Sequence, residues 1–98
     1  MIQHFCFAKL RDEDAPDRDA LARQLRGELL GAAQPLGAAV TVAVPADDTA
    51  KKWDLAIAIT AASLAIWSMI EERVRPVFDA LEPRAVSFKR WTFDAAPR

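Results

Sequence analysis

The sequence predicts an α+β domain in which two helices cover one face of a four-stranded antiparallel sheet. Segments with a hydrophobic period of two and segments with a period near 3.6 follow one another in the order β-α-β-β-α-β. Only a short polar link separates the second and third strands, as expected for a hairpin. The chain has 98 residues, of which 52% are apolar and 28% charged, and this balance is typical of one globular domain over residues 1–98.

Two strands and one helix are predicted in the N-terminal half. The first strand is Ile2–Leu10, and because both of its faces carry apolar side chains, it should lie centrally in the sheet. The first helix runs from about Pro16 to Ala33, on a stripe formed by Leu21, Leu25 and Leu29. The second strand is Ala38–Val44, where valines alternate with smaller side chains.

The C-terminal half adds a strand, a helix and a last strand, which are predicted over Trp53–Thr60, about Ser63 to Leu81 and Arg84–Phe93. Thr60 or Ser63 can cap the helix, because either hydroxyl can accept a hydrogen bond from its first turn. Pro76 should kink this helix or split it in two. The tail from Asp94 to Arg98 carries no pattern and is predicted to be frayed.

Composition and charge exclude several classes of function. The net charge is −1, so no basic surface is expected to bind nucleic acid. Cys6 is the only cysteine and His4 the only histidine, which rules out an intramolecular disulfide and leaves a structural zinc cluster without ligands. We expect no metal and no cofactor. The stretch from Leu55 to Ile70 is too short and too often interrupted by polar residues for a membrane span, and no signal peptide precedes the first strand, so we expect a cytoplasmic protein.

Apolar side chains on both faces of the sheet predict a homodimer. Two helices can cover only one face of a four-stranded sheet, and a second face open to water should be polar. The first strand has no such polar face, since one side carries Phe5 and Phe7 and the other carries residues such as Cys6. Trp91 and Phe93 on the last strand repeat the pattern, and so do Trp53 and Leu55, which are expected to share a face of the third strand. A second copy packed sheet against sheet would cover this apolar surface.

Three residues are candidates for a site in the apolar interior. His4 is the candidate catalytic residue, because an imidazole titrates near neutrality and suits acid–base chemistry. Cys6 lies two residues further on the same face and could border the same site, although about 6.6–6.8 Å of strand separates the two positions, too far for a direct hydrogen bond. Trp67 could stack on a planar substrate. The alternative for all three is structural, with each side chain simply packed in the core.

Two segments of the chain resemble a known family. Ile2–Asp12 places a hydrophobic residue, a spacer, His4, an apolar run, Lys9 and a further apolar residue in one strand, which resembles the first strand of the stress-responsive dimeric α/β-barrel domains, the Dabb family. The run from Trp53 to Ile59 is similar to the aromatic-Asp-apolar pattern of their third strand. The order of elements agrees over nearly all of the 98 residues.

The resemblance implies a ferredoxin-like fold, a homodimer whose two sheets close into a barrel, and a small apolar pocket between sheet and helices. Some members of the family are polyketide cyclases, in which the first-strand histidine, here His4, works with a second histidine in a His-Pro-x-His segment of the later helix. The corresponding region here, Ile70–Pro76, contains no histidine, and Arg73 or Arg75 stands nearest to that place. An arginine stays charged at neutral pH and cannot be a base, but it could hold a carboxylate or stabilise an enolate.

These observations predict a homodimer that binds a small, largely apolar organic molecule. An enzyme of the cyclase or isomerase kind would use His4 as its acid–base group and Arg75 or Arg73 as an electrostatic helper, with Trp67 and Cys6 bordering the substrate. Two alternatives stay open: a non-catalytic binding or stress-response protein whose pocket is filled by side chains, and a cofactor-free monooxygenase of the antibiotic-biosynthesis class. An open cavity beside His4 would favour the enzyme over the filled pocket.

Overall fold

A computed structural model of the protein describes residues 1–95 and has the predicted order of elements. The strands are β1 Ile2–Leu10, β2 Ala39–Ala43, β3 Leu55–Ala61 and β4 Ala85–Asp94, and the two helices are α1 Arg18–Ala33 and α2 Leu64–Leu81. Gly37, with φ of 77°, turns the chain from the end of α1 into β2, a conformation that glycine adopts without steric strain. The last strand extends to Asp94, one residue beyond its predicted end, and the part of the predicted tail at residues 96–98 lies outside the described residues.

The four strands form one antiparallel sheet in the order β2-β3-β1-β4. β1 therefore lies in the interior of the sheet, as its apolar faces predict, and β2 and β4 form the two edges. The fold class predicted from the sequence, a ferredoxin-like βαββαβ sheet with two helices, is confirmed. Neither helix within residues 1–95 is both long and apolar enough to cross a lipid bilayer.

The core lies between the sheet and the two helices. Every second residue of β1, from Ile2 to Leu10, is buried on the helix side. The predicted leucine stripe of α1 is buried against it, and α2 contributes five buried residues at helical spacing, Trp67, Ile70, Val74, Phe78 and Leu81. Burial of these large side chains supplies the main stabilisation of such a domain, at roughly 1.5–3 kcal/mol for each.

Helix α2 is continuous through Pro76, so the predicted split does not occur. Its cap is Ser63, whose Oγ accepts a hydrogen bond from the N–H of Ile66 at 3.2 Å. A proline at position 76 has no N–H to donate to the carbonyl of Glu72, one turn earlier. Both residues are exposed, so water can satisfy that carbonyl and the helix tolerates the proline.

Asp54 interrupts the alternation just before β3. Its carboxylate is buried, accepting the backbone N–H of Leu10 at 2.8 Å and a hydrogen bond from Arg18 at 3.1 Å. This interaction ties the end of β1 to the start of α1. Trp53 consequently packs against Phe7, with ring centroids 5.8 Å apart, and does not share the face of Leu55 as the sequence pattern predicted.

The face of the sheet opposite the helices carries five aromatic rings in two groups of contacting rings. Phe7 contacts Trp91 at 5.8 Å between ring centroids, and Phe5 contacts Phe93 at 5.9 Å. Trp91 and Phe93 are 43% and 52% exposed, which is high for side chains of this size. We call this surface the aromatic sheet face; it consists of Phe5, Phe7, Trp53, Trp91 and Phe93.

Candidate functional site

His4 lies on the helix side of β1, enclosed by aromatic rings. Its side of the strand faces α2, and the residue is only 4% exposed. The imidazole stacks on the indole of Trp67 with 4.5 Å between ring centroids and 24° between ring planes. The ring of Phe78, which lies on α2 like Trp67, meets the imidazole in an edge-to-face arrangement with 6.0 Å between ring centroids. The α2 spacing that buries Trp67 and Phe78 therefore also builds an apolar wall around the only histidine.

The edge strand β4 supplies hydrogen-bond partners for both ring nitrogens of His4. Thr92 is the cross-strand partner of His4, and Arg90 is the partner of Cys6, so both side chains point to the helix side next to the imidazole. Nδ1 lies 2.8 Å from the Thr92 hydroxyl oxygen, and Nε2 accepts the Nε–H of Arg90 at 3.0 Å. We call this group the His4 cluster; it consists of His4, Trp67, Phe78, Arg90 and Thr92.

These two hydrogen bonds define the protonation state of the imidazole. Arg90 can only donate, so Nε2 of His4 must carry a lone pair. In a neutral ring the proton is then on Nδ1, which donates it to the hydroxyl of Thr92. Burial, and secondarily the positive charge of Arg90, lower the pKa of His4 from 6.5 to about 4. At neutral pH His4 is therefore uncharged.

Arg90 is the charged member of the His4 cluster. Its guanidinium is half-buried and lies flat over the ring of Phe78, with Cζ 4.0 Å from the ring centroid. The Nε–H is used by His4, while no side chain within residues 1–95 forms an ion pair with the guanidinium. Its outer nitrogens thus remain able to donate hydrogen bonds to a further group.

Cys6 is fully buried beside the His4 cluster. Burial raises the pKa of its thiol to about 12, although the nearby charge of Arg90 acts in the opposite direction. A thiol with such a pKa is protonated at neutral pH and is a poor nucleophile. Cys6 therefore packs as a small apolar side chain beside the imidazole.

The sequence-predicted site residues are only partly brought together. His4 and Trp67 are in direct contact, and Cys6 follows on the same strand face. Arg73 and Arg75 are both exposed on α2, and the residue between them, Val74, is buried. Within the described residues neither arginine bonds to the His4 cluster, and their role at a ligand site stays a prediction.

Arg90 and Thr92 were not identified from the sequence. The only signal was indirect: two strands that pair antiparallel in the known β-α-β-β-α-β order bring the end of the last strand beside the start of the first. Which side chains meet there depends on the register, and positions 90 and 92 are 86 and 88 residues away from His4.

Three surface pockets lie elsewhere on the described part of the chain. The one with the most apolar lining has a volume of about 210 Å³ and lies under the β2–β3 hairpin beside Phe7 and Trp53. A second, of about 310 Å³, lies between α1 and the edge strand β2, and a third, of about 70 Å³, lies between the two helices. His4 lines none of them. In residues 1–95 no three His, Cys, Asp or Glu side chains gather closely enough to hold a metal ion.

Comparison with known proteins defines the class of fold. The chain is similar to a dimeric ferredoxin-like protein of unknown function from Thermobifida fusca, with a TM-score of 0.76, 16% identity, and coverage of 94% of this chain and 88% of that one. It is also similar to a hydroxynitrile lyase from Passiflora edulis, with a TM-score of 0.75, 11% identity, and coverage of 99% and 96%. An antibiotic biosynthesis monooxygenase matches with a TM-score of 0.70, 14% identity, and coverage of 99% and 100%.

The likeness to these solved structures concerns the fold. Each of the three is less than 20% identical to this chain, and their functions do not transfer with the fold. No protein-family profile matches the chain, and no curated protein matches it. The protein is therefore defined as a ferredoxin-like α+β domain whose structural neighbours include dimeric proteins.

Proposed function

We propose that the protein is a homodimeric α/β-barrel protein that binds a small, largely apolar organic molecule at the His4 cluster. The observation that carries this proposal is the convergence of His4, Arg90 and Thr92 in an otherwise aromatic environment. A few polar groups in an apolar setting, one of them with a strongly lowered pKa, are typical of ligand-binding and catalytic sites. The Dabb resemblance of the first and third strands supports the same class of protein.

The homodimer is supported by the aromatic sheet face. The helices leave this face uncovered, and its outer rings, Trp91 and Phe93, are about half exposed. A sheet of a second copy could bury it, and about 800 Å² per subunit is ordinary for such an interface. Sedimentation at micromolar concentration should then give a species of twice 10.8 kDa. Trp91→Glu should shift it to the single-chain mass, and a wild-type protein that sediments as a single chain would refute the dimer.

Acid–base chemistry of the cyclase or isomerase kind is the catalytic form of this proposal. His4 is uncharged at neutral pH and is in the form that can accept a proton, but the lone pair of Nε2 is occupied by the N–H of Arg90. A substrate that draws Arg90 toward a developing enolate would free that lone pair and stabilise the negative charge at the same time. Arg90 thereby takes the place that the sequence suggested for Arg73 or Arg75.

A non-catalytic protein with a filled pocket is the second candidate, and it is favoured by the packing of His4. The residue is 4% exposed, stacks on Trp67 and uses both ring nitrogens within the fold. Such an imidazole needs no ligand to satisfy its polar atoms. In this case His4 would stabilise the domain and substitution would affect stability alone.

The single histidine makes an experiment on the site direct. In the ¹⁵N-labelled protein, the imidazole signals belong to His4 alone, so a panel of small aromatic and aliphatic acids, ketones and alcohols can be screened for shifts of these signals. Any compound that binds is then assayed for proton exchange, for lyase activity and, with electron-rich phenols, for oxygen uptake. The two last assays follow the enzymes named among the structural neighbours.

The outcome separates the candidates. Specific shifts with activity that His4→Gln abolishes support the enzyme. Shifts without activity support a binding protein. If no compound of the panel perturbs His4, while the variant loses stability alone, the filled pocket stands and the binding proposal fails.

A further inference from the structure

The ion pairs of the protein distinguish Arg90 from other arginines that lie against the fold. Arg18 pairs with Asp54 at 3.1 Å, and Arg84 pairs with Asp14 at 2.8 Å. In both cases a carboxylate of the chain itself neutralises the guanidinium. Arg90 is half-buried as well, yet no carboxylate within residues 1–95 pairs with it.

The acid that follows Arg90 on the same strand does not fill this role. Asp94 lies four residues further along β4, a rise of about 13 Å. It forms an ion pair with the N-terminal amine of Met1 at 3.6 Å. A partly desolvated cation without a counter-charge is unfavourable. An anion that binds from solvent therefore stabilises the site.

The surroundings hold Arg90 in a defined orientation. Phe78 supports the flat face of the guanidinium, and Nε2 of His4 accepts its Nε–H. Phe78 covers the flat face and His4 uses only Nε, so the in-plane N–H groups of the two outer nitrogens are left, and they form a planar fork that matches the two oxygens of a carboxylate. Because β4 is an edge strand and Arg90 is not fully buried, a small molecule can approach this fork from solvent.

We infer that the ligand of the His4 cluster carries a carboxylate, which binds in bidentate fashion to the outer nitrogens of Arg90. The inference rests on the proposed function, because it names the chemical class of the ligand for that same site. The remainder of the ligand is apolar, since the other large side chains of the cluster, Phe78 and Trp67, are aromatic; both are buried, so the ligand reaches them only when the cluster opens. Arg90 is thus the residue that determines specificity for acids over their neutral analogues.

The test compares acids with the corresponding alcohols. Benzoate and benzyl alcohol, phenylacetate and 2-phenylethanol, and hexanoate and 1-hexanol are each titrated into the ¹⁵N-labelled protein, and dissociation constants are read from the His4 imidazole signals. The experiment is repeated on Arg90→Gln, which removes the charge, and on Arg90→Lys, which keeps the charge and removes the fork. Arg26→Gln is the matched control, since Arg26 is an exposed arginine on α1.

The inference predicts that at least one acid binds the wild type and the Arg26→Gln control with equal affinity. Its affinity should fall about tenfold or more in Arg90→Gln and less in Arg90→Lys, because a charge-assisted bidentate interaction is lost in the first variant and only its geometry in the second. The affinity of the alcohols should not depend on Arg90. Because Arg90 donates a hydrogen bond to His4, the imidazole signals of the free variants will shift even in an intact fold, and far-UV circular dichroism therefore checks the folding.

Two results overturn the inference in different ways. If alcohols bind as tightly as the acids and Arg90→Gln leaves both unchanged, the site binds a neutral ligand: the proposed function stands and the carboxylate is wrong. If no acid or alcohol perturbs His4 at any concentration up to the solubility limit, both the carboxylate and the proposed ligand site at the His4 cluster are wrong.

Discussion

Acidification should destabilise the protein through His4. Burial and the charge of Arg90 hold the pKa of His4 at about 4 in the folded state, against 6.5 in an unconstrained chain. The unfolded chain therefore takes up a proton at a higher pH than the folded protein does. The stability from this residue is fully present above pH 6.5 and is lost progressively as the pH falls from 6.5 toward 4.

The magnitude follows from the difference between the two pKa values. The drop from 6.5 to about 4 corresponds to about 3 kcal/mol of unfolding free energy, because each factor of ten in proton affinity is worth about 1.4 kcal/mol. Small domains are stable by only about 5–15 kcal/mol, so this loss is a large share of the total. It is an upper value, since water that reaches the half-buried Arg90 weakens the repulsion.

Urea denaturation at pH 7, 6, 5 and 4 measures the effect, at one protein concentration so that any dimerisation stays comparable. Carboxylates elsewhere also titrate in this range, and the comparison with His4→Gln removes their contribution. Glutamine offers one donor and one acceptor to Thr92 and Arg90 but takes up no proton. The wild type should lose about 3 kcal/mol more than the variant between pH 7 and pH 4. A difference that stays constant over this range would refute the assignment of a neutral His4, and an NMR titration with a midpoint near 6.5 would do so directly.

Three further predictions concern buried side chains of the domain. Asp54→Ala should lower the free energy of unfolding by about 1–3 kcal/mol in urea denaturation, because the buried N–H of Leu10 loses its acceptor; an unchanged midpoint would show that water replaces the carboxylate. Trp67→Ala should cost about 3–5 kcal/mol in the same assay, because it removes a buried ring that also stacks on His4, and a smaller loss would mean that the site collapses around the cavity. Cys6 should react with a thiol reagent such as iodoacetamide in urea but remain unmodified in the native protein at pH 8, since it is fully buried and its pKa is raised to about 12; rapid native labelling would contradict this environment.

The fold could be predicted from local patterns because those patterns determine it. The period of two in Ile2–Leu10 specified both a strand and its interior position, since apolar residues on both faces need cover on both sides. The leucine stripe of α1 and the apolar spacing of α2 specified which helix faces are buried. The same reasoning predicted that one apolar face of the sheet stays uncovered by the helices, but it left open which face this is and placed Trp53 with Leu55.

The composition of the site could be predicted less well, because it depends on contacts across the sheet. His4 and Trp67 were identified from their own chemistry, and they meet as ring neighbours. Arg90 meets His4 only through the register of β1 with β4, which long-range packing sets and which no local pattern reveals. Arg73 and Arg75 lie outside the apolar stripe of α2, as the spacing of its apolar residues already indicated, and their role at a ligand site stays a prediction.

The hydrogen bond between Arg90 and His4 decides whether binding and catalysis are compatible at this site. While Nε of Arg90 donates to Nε2, the outer nitrogens can hold a carboxylate, but the imidazole has no free lone pair and cannot act as a base. Catalysis requires this bond to break, and the imidazole then loses both the hydrogen bond and part of the neighbouring positive charge. A bound anion that neutralises Arg90 should raise the pKa of His4 only in part, since burial is the larger cause of its lowering. The ¹⁵N shift of Nε2 at neutral pH therefore distinguishes the two candidates in the bound state: an unchanged hydrogen-bonded signal indicates a binding protein, and a signal that shows the loss of this hydrogen bond indicates an enzyme.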